Sequence, residues 1–113
     1  MTDPTRDRLP GANARSLVFR FGLAPATAVV TTTYVMKQGL PVLDVTHEDD
    51  EQGGALWQFH CGNGDYEPAV LMLVTLAQVL ALDETVAELA DLPRGWRGTR
   101  AERGAPWQRG IAP

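Results

Sequence analysis

The sequence predicts a single α+β domain with a mainly antiparallel sheet of four or five strands and two short C-terminal helices on one face. The chain has 113 residues, the usual size of one domain that buries a single core. Segments rich in β-branched or alternating apolar residues fill its first two thirds, whereas the main helix-start signals follow Thr75. We therefore expect a mobile tail at residues 1–15, an α+β core domain at 16–93 and an arm rich in Arg and Trp at 94–113, packed on the core.

The N-terminal part of the core domain shows strand patterns. Residues 17–21 alternate, with three large apolar side chains on one side, which is typical of an edge strand or a docked extended arm. Residues 26–33 are rich in Val and Thr and predict the first secure strand. Residues 33–39 could close as one helical turn that stops at Gly39.

The middle of the chain predicts a β-hairpin. Its strands are residues 42–47 and 55–61, and the period of two places Trp57 on the face that we expect to be buried. The acidic run at 48–51 and the glycine pair that follows it indicate a long, solvated turn between the strands.

The apolar run from Val70 to Val74 fits a strand buried on both faces, but periodicity alone does not separate it from a buried helix. The residues that follow favour the strand, because Thr75 and Gln78 have the spacing of a capping box at a helix start. We therefore expect a helix over residues 76–82 and a second one capped by Asp83, with apolar positions at 86, 89 and 90.

Charge is strongly segregated along the chain. Residues 1–37 carry a net charge of +3, residues 38–93 carry eleven acids and no Lys or Arg, and residues 94–113 carry +4. A middle without Lys or Arg disfavours nucleic-acid binding, which depends on cations that neutralise phosphates. Two interpretations remain: basic termini that fold back on an acidic body, or an acidic face that steers a basic protein partner.

Compartment and membrane signals favour the cytoplasm. Cys61 is the only cysteine, and the first fifteen residues lack the apolar region of a secretory signal. The longest apolar run, residues 69–82, is too short to cross a membrane, since a spanning helix needs about twenty apolar residues.

Few residues suggest chemistry, and the sequence predicts no metal, no cofactor and no assigned catalytic residue. His60 and Cys61 are adjacent on a strand and so face opposite ways, which excludes a shared ligand sphere. The open alternative is a cluster of His47, His60 and Asp65 that binds a small ligand or performs acid–base catalysis.

Aromatic and charged residues are the better candidates for function, because Trp, Tyr and Arg dominate protein interfaces. The other interpretation is that the tryptophans only fasten the C-terminal arm to the core. The candidate binding residues are Glu48, Asp49, Asp50, Glu51, Asp65, Tyr66, Trp96, Arg97 and Trp107.

The order of motifs resembles a bacterial family. The shared parts are the Val/Thr strand and turn at 29–39, Trp57-x-Phe59 followed by Gly62-x-Gly64-Asp65, and the aromatic and charged segment at 92–107. They are similar to those of uncharacterised-domain family 2185, whose relatives include immunity proteins of polymorphic toxin systems. This chain lacks the long acidic stretch that follows the glycine-aspartate turn in that family. The resemblance implies an α+β fold and an immunity-like role.

From these observations we expect a non-catalytic, immunity-like protein-binding module with an acidic face. Two alternatives stay open: a small-ligand binder or minor enzyme using His47, His60 and Asp65, and a structural subunit that forms homodimers through an exposed sheet edge. The sequence does not decide between a monomer and a homodimer.

Overall fold

Six strands form one sheet in the computed structural model of the chain, which describes residues 17–113; the tail predicted at residues 1–15 lies outside them. The strands are β1 Ala28–Thr32, β2 Asp44–Asp49, β3 Ala55–His60, β4 Leu71–Thr75, β5 Trp96–Thr99 and β6 Gln108–Ile111. The helices are α1 Thr33–Met36 and α2 Leu76–Leu82, with 3-10 turns at Phe19–Phe21, Pro68–Val70 and Glu84–Leu89. This confirms one α+β domain.

The sheet is mixed and has more strands than predicted. Its order is β4-β1-β3-β2-β5-β6, in which β1 and β3 are parallel and every other pair is antiparallel. The extra strands come from residues 94–113, the predicted arm. β5 has only four residues with no apolar alternation, so its strand conformation depends on pairing with β2 rather than on a local pattern.

The prediction of a strand at residues 17–21 is wrong, because this segment ends in the 3-10 turn Phe19–Phe21. Val18 is fully buried, the ring of Phe21 lies edge-on to Trp57 at 5.1 Å, and Phe19 is 73% exposed. A helical turn brings positions 18 and 21 to one side, whereas a strand would have separated them.

The local helix signals are confirmed. The Thr75 hydroxyl accepts a hydrogen bond from the backbone N–H of Gln78 at 3.1 Å, and the Gln78 side chain accepts one from the N–H of Thr75 at 2.8 Å, so α2 begins with a capping box. Asp83 caps the next helix, which is a 3-10 helix over Glu84–Leu89. The single helical turn before Gly39 is α1.

The apolar run from Val70 to Val74 forms a strand, as predicted, but this strand is not buried on both faces. It is β4, which lies at one edge of the sheet, and Leu73 is 74% exposed. The helix α2 and the 3-10 helix Glu84–Leu89 pack on the other face. None of the helices within residues 17–113 is long and apolar enough to span a membrane.

The core lies between one face of the sheet and the helices. Val29, Val45, Trp57 and Phe59 of the sheet form one buried cluster with residues of α2 and of the 3-10 helix Glu84–Leu89. We call the opposite side of the sheet the open face. It carries Val30, Asp44, Thr46, Glu48, Leu56, Gln58, His60, Leu71, Leu73, Arg97 and Thr99, as the strand register shows.

All five arginines after residue 93 form ion pairs with acids of the middle segment. The pairs are Arg94–Asp49, Arg97–Asp44, Arg100–Asp83, Arg103–Asp83 and Arg109–Asp91. The C-terminal residues thus fold back on the acidic body, which agrees with the first of the two interpretations of the charge segregation.

Arg100 is the most buried of these arginines. Its guanidinium donates to Asp83 at 2.8 Å, to the Thr85 hydroxyl at 2.8 Å and twice to the carbonyl of Val42 at 3.0 and 3.1 Å. Its Cζ atom lies 4.0 Å from the ring centre of Trp107. One side chain therefore joins the segment before β2, the start of the 3-10 helix Glu84–Leu89 and the residue that precedes β6.

The exposure of the two arginines that share Asp83 leads to a prediction. Arg100→Ala should lower the free energy of unfolding by about 3–5 kcal/mol, because it removes the buried half of the Asp83 ion pairs and leaves the carbonyl of Val42 without its two donors. Arg103→Ala is the matched control: its side chain is 55% exposed, and we expect a loss of less than about 1 kcal/mol. Urea denaturation measures both, and similar losses for the two variants would contradict the account.

Candidate binding site on the open face of the sheet

A cluster of polar side chains covers the centre of the open face, where β3, β2 and β5 lie side by side. The alternation of β2 turns Asp44, Thr46 and Glu48 toward this face. Pairing then sets His60 opposite Asp44, and Arg97 opposite Thr46. Three segments that are distant in sequence therefore build one site.

The strongest contact in the site is the ion pair of Asp44 and Arg97. Nε of Arg97 lies 2.7 Å from Oδ1 of Asp44, and Nη2 lies 2.8 Å from Oδ2, so the pair is bidentate. Burial alone would raise the pKa of Asp44, but hydrogen bonds from Arg97 and Tyr66 outweigh it and leave the pKa below its usual value. Asp44 stays ionised although it is only 4% exposed.

Tyr66 closes the site from the loop that follows β3. Its hydroxyl donates to Oδ2 of Asp44 at 2.5 Å, and its ring centre lies 4.1 Å from that of His60. Burial and then the bond to Asp44 raise the pKa of Tyr66 to about 12. The loop turns back sharply at Gly62 and Gly64, which both have positive φ and need glycine for that reason.

A second chain of hydrogen bonds runs across β3. Nε2 of Gln58 donates to the Glu48 carboxylate at 3.2 Å, and the Gln58 oxygen lies 2.9 Å from Nε2 of His60. His60 is only 3% exposed, and the ring of Tyr66 packs against it. Burial lowers the pKa of His60, an effect that the charges of Asp44 and Glu48 oppose only in part.

The predicted cluster of His47, His60 and Asp65 does not exist. In the hairpin register His47 pairs with Trp57, so it lies on the core face while His60 lies on the open face. The ring of His47 stacks on Trp57 at 4.0 Å, and its Nδ1 donates to the carbonyl of Leu92 at 2.7 Å. Asp65 accepts a hydrogen bond from the hydroxyl of Tyr34 at 2.6 Å. An acid–base role that needs all three residues is therefore excluded.

Three of the predicted binding residues, Glu48, Tyr66 and Arg97, meet in one cavity of the open face. The rest of the acidic run serves the turn: Asp49 pairs with Arg94 at 3.2 Å, and Asp50 accepts hydrogen bonds from two backbone N–H groups of its own turn.

The remaining predicted residues lie elsewhere. Glu51 is exposed at the turn, and Asp65 is held by Tyr34. Trp96 packs against the core. Trp107 stacks on Arg100, and its Nε1 donates to the carbonyl of Thr85 at 3.3 Å. The two C-terminal tryptophans thus fasten the last strands to the domain.

Sequence reasoning missed three members of the site: Asp44, Thr46 and Gln58. A signal for them was present, because polar residues occupy every second position from 44 to 48 and positions 58 and 60. Alternation of this kind predicts a polar sheet face. The alternation on β2 and β3 does not place Arg97 on this face, because Arg97 belongs to a strand that has no sequence pattern of its own.

Neither Asp44 nor Tyr66 changes its protonation state near neutral pH. Asp44 holds its charge and Tyr66 holds its proton at neutral pH, since their pKa values are displaced in opposite directions away from 7. Among residues 17–113, no group of three or more His, Cys, Asp or Glu side chains is placed to hold a metal ion.

No family model matches the chain, and neither a curated protein nor a solved structure is significantly similar to it. The resemblance to uncharacterised-domain family 2185 therefore stays a prediction from short motifs.

The bond between Tyr66 and Asp44 predicts an unusual titration. In a Tyr34→Phe background Tyr66 is the only tyrosine, and its absorbance should titrate near the value of about 12. A raised pKa means that the hydroxyl stabilises the fold fully below the ordinary value of 10.0 and loses that effect as the pH rises toward 12. Asp44→Asn should move the titration toward 10, because it removes the acceptor charge. Glu51→Gln at the exposed turn should leave it unchanged, and equal effects of the two substitutions would contradict the assignment.

Proposed function

We propose that this protein is a non-catalytic, cytoplasmic module that binds a basic protein partner through the open face of its sheet. The observation that carries the proposal is that one face of the sheet combines a pre-ordered charged network with exposed leucines. Leu73 is 74% and Leu71 38% exposed on β4, two strands away from the network on β3. Exposed apolar surface beside fixed polar groups is typical of protein interfaces.

The charge of this face favours a basic partner. Asp44 and Arg97 neutralise each other, so Glu48 leaves the network with a net negative charge. Asp50 and Glu51 at the adjacent turn add two more negative charges, and none of the salt bridges within residues 17–113 includes them. Negative charge of this kind raises the rate of encounter with a positive surface.

Two residues of the network are of the types that contribute most to interface energies, Tyr66 and Arg97. Both are held in place by Asp44, so little side-chain freedom is lost when a partner binds. An immunity-like role, in which the partner is a toxin domain with a basic surface, is the form of this function that the family resemblance implies. A toxin-like reading frame next to the gene would support that form.

The experiment compares matched charge reversals on the two sides of the sheet. A partner captured with the wild-type protein is identified and purified, and its Kd is then measured by calorimetry. Glu48→Lys and Leu73→Lys should each weaken binding at least tenfold, since they place positive charge on the proposed contact surface. Affinity should also fall as salt increases.

Glu88→Lys is the control, because it makes the same charge reversal at an exposed position on the helical side of the domain. It should change the Kd by less than twofold. An acidic partner, or equal losses for Glu48→Lys and Glu88→Lys, would refute binding through the open face.

A second copy of the chain is the other candidate partner, because the outer edge of β4 pairs with no strand of the described residues. Antiparallel pairing of two β4 strands would make a continuous twelve-stranded sheet, as edge strands permit. In that case light scattering should report twice the monomer mass at high concentration. Met72→Pro removes a backbone donor from β4 and serves only as a second test of the dimer. A monomer mass for the wild type at every concentration rejects the dimer.

A further inference from the structure

A cavity at the ends of α1 and α2 combines an apolar wall with a cationic side chain. Its volume is about 230 Å³, and it is bounded by α1, by the segment that leads from α1 to β2 and by the last turn of α2. Its described lining residues include Val35, Leu40, Val42, Leu82, Asp83 and Arg103. None of them belongs to the open face, so this cavity is a separate candidate site.

The apolar wall of the cavity is partly in contact with water. Val35 and Val42 are almost fully buried, whereas Leu40 is 40% and Leu82 is 45% exposed. Ligand sites are typically lined by apolar side chains with a small number of polar groups that orient the ligand. A ligand with an apolar chain would remove the exposed surface of both leucines from water, which is favourable.

The cavity carries one surplus positive charge. Asp83 and Arg103 are the charged members of its described lining residues, which do not include the neighbouring Glu84 and Glu102. Asp83 is already paired with the buried Arg100 at 2.8 Å. One carboxylate therefore faces two guanidinium groups, and the charge of Arg103 favours an anionic ligand.

The guanidinium of Arg103 lies at the edge of the cavity and has N–H groups to spare. Its Nε is 3.4 Å from Oδ2 of Asp83, and its Nη2 donates to the carbonyl of Leu82 at 2.7 Å. Both of these residues line the cavity. A guanidinium has five N–H donors, and within residues 17–113 that of Arg103 makes only these two hydrogen bonds. The side chain is 55% exposed, so a ligand can reach it.

We propose that this cavity binds a small carboxylate with a short apolar chain. The carboxylate pairs with Arg103, because a guanidinium donates two parallel N–H bonds to such a group. The chain covers Leu40 and Leu82. Since a cavity of about 150 Å³ holds benzene, a volume of about 230 Å³ has room for roughly eight non-hydrogen atoms. This inference goes beyond the proposed function and does not depend on it.

The backbone carbonyls of the cavity favour a simple acid over the C terminus of a peptide. The carbonyl of Val42 accepts two hydrogen bonds from Arg100, and that of Leu82 accepts one from Arg103. A buried peptide N–H needs an acceptor, and these carbonyls are already engaged. An alkyl chain needs no acceptor, so it suits this wall better.

The test uses sodium hexanoate as the probe, with NMR of the methyl groups. The methyl resonances of Val35, Leu40, Val42 and Leu82 should shift and saturate as hexanoate is added, whereas those of Leu73 on the open face should not move. The expected Kd is on the order of 1 mM, as is usual for a ligand of about eight non-hydrogen atoms.

Further probes separate the charge of the ligand from its chain. Acetate has the charge without the chain, and n-hexanol has the chain without the charge; each should bind at least tenfold more weakly than hexanoate. n-Hexylammonium, which has the opposite charge, should give no saturable shift. N-Acetyl-leucine represents a peptide C terminus and should bind more weakly than hexanoate.

Substitutions identify the groups that bind. Arg103→Ala should weaken hexanoate at least fivefold, and Arg103→Lys, which keeps the charge, should lose less. Arg94→Ala is the matched control, because Arg94 is 50% exposed and pairs with Asp49 far from the cavity lining. It should leave the Kd unchanged. Leu82→Ala should weaken hexanoate at least threefold and Leu73→Ala should not, and urea denaturation checks that each variant is folded.

The inference is wrong if hexanoate gives no saturable shift of the four residues, if n-hexanol or n-hexylammonium binds as tightly, or if folded Arg103→Ala binds hexanoate as the wild type does. Tighter binding of N-acetyl-leucine than of hexanoate would also overturn the free acid, in favour of a protein C terminus. A failure here is distinct from a failure of the proposed function, because Glu48→Lys and Leu73→Lys change the open face and should leave the Kd of hexanoate unchanged.

Discussion

The buried guanidinium of Arg100 is the interaction on which the rest of the structure depends. It contacts the carbonyl of Val42, the capping carboxylate of Asp83 and the ring of Trp107, so it joins three separate parts of the chain. A buried charge without partners is very unfavourable, so each of these contacts helps to stabilise the guanidinium in its buried position. They fix where the chain re-enters the sheet after the 3-10 helix Glu84–Leu89, and β5 is consequently held against β2.

The binding site follows from that placement. Arg97 lies three residues before Arg100, points to the open face of the sheet and contacts Asp44. The strand β5 and the residue that follows it therefore supply one arginine to each face. Gly98 lies between them, and a Cβ there would be 2.7 Å from a methyl group of Leu89. The close approach of β5 to the helical layer therefore favours glycine, because a larger residue would force the buried Leu89 side chain to shift. A strand that looks unstructured in sequence is thus determined by its neighbours on both sides.

Local signals of the sequence were sufficient for the parts of the fold that are stabilised locally. The capping box at Thr75 predicted α2 with its correct ends, and the alternation around Trp57 predicted the buried face of the hairpin. The site was less predictable, because whether His47 and His60 share a face depends on the parity of the hairpin register. The observed register pairs residues whose numbers are both odd or both even, which separates the two histidines. Arg97 was predicted as a binding residue from its residue type, but its place in the site depends on the pairing of β5 with β2.

The electrostatics of the site explain why a buried carboxylate at its centre is compatible with a stable fold. Asp44 is ionised and nearly inaccessible, but Arg97 and Tyr66 satisfy its oxygens, so its burial is offset within the site. His60 and Thr46 differ, since each retains one atom without a partner. Under the proposed function, the attraction for a basic partner comes from the charge of Glu48, which the neutral pair of Asp44 and Arg97 does not cancel, and it needs no rearrangement of the sheet.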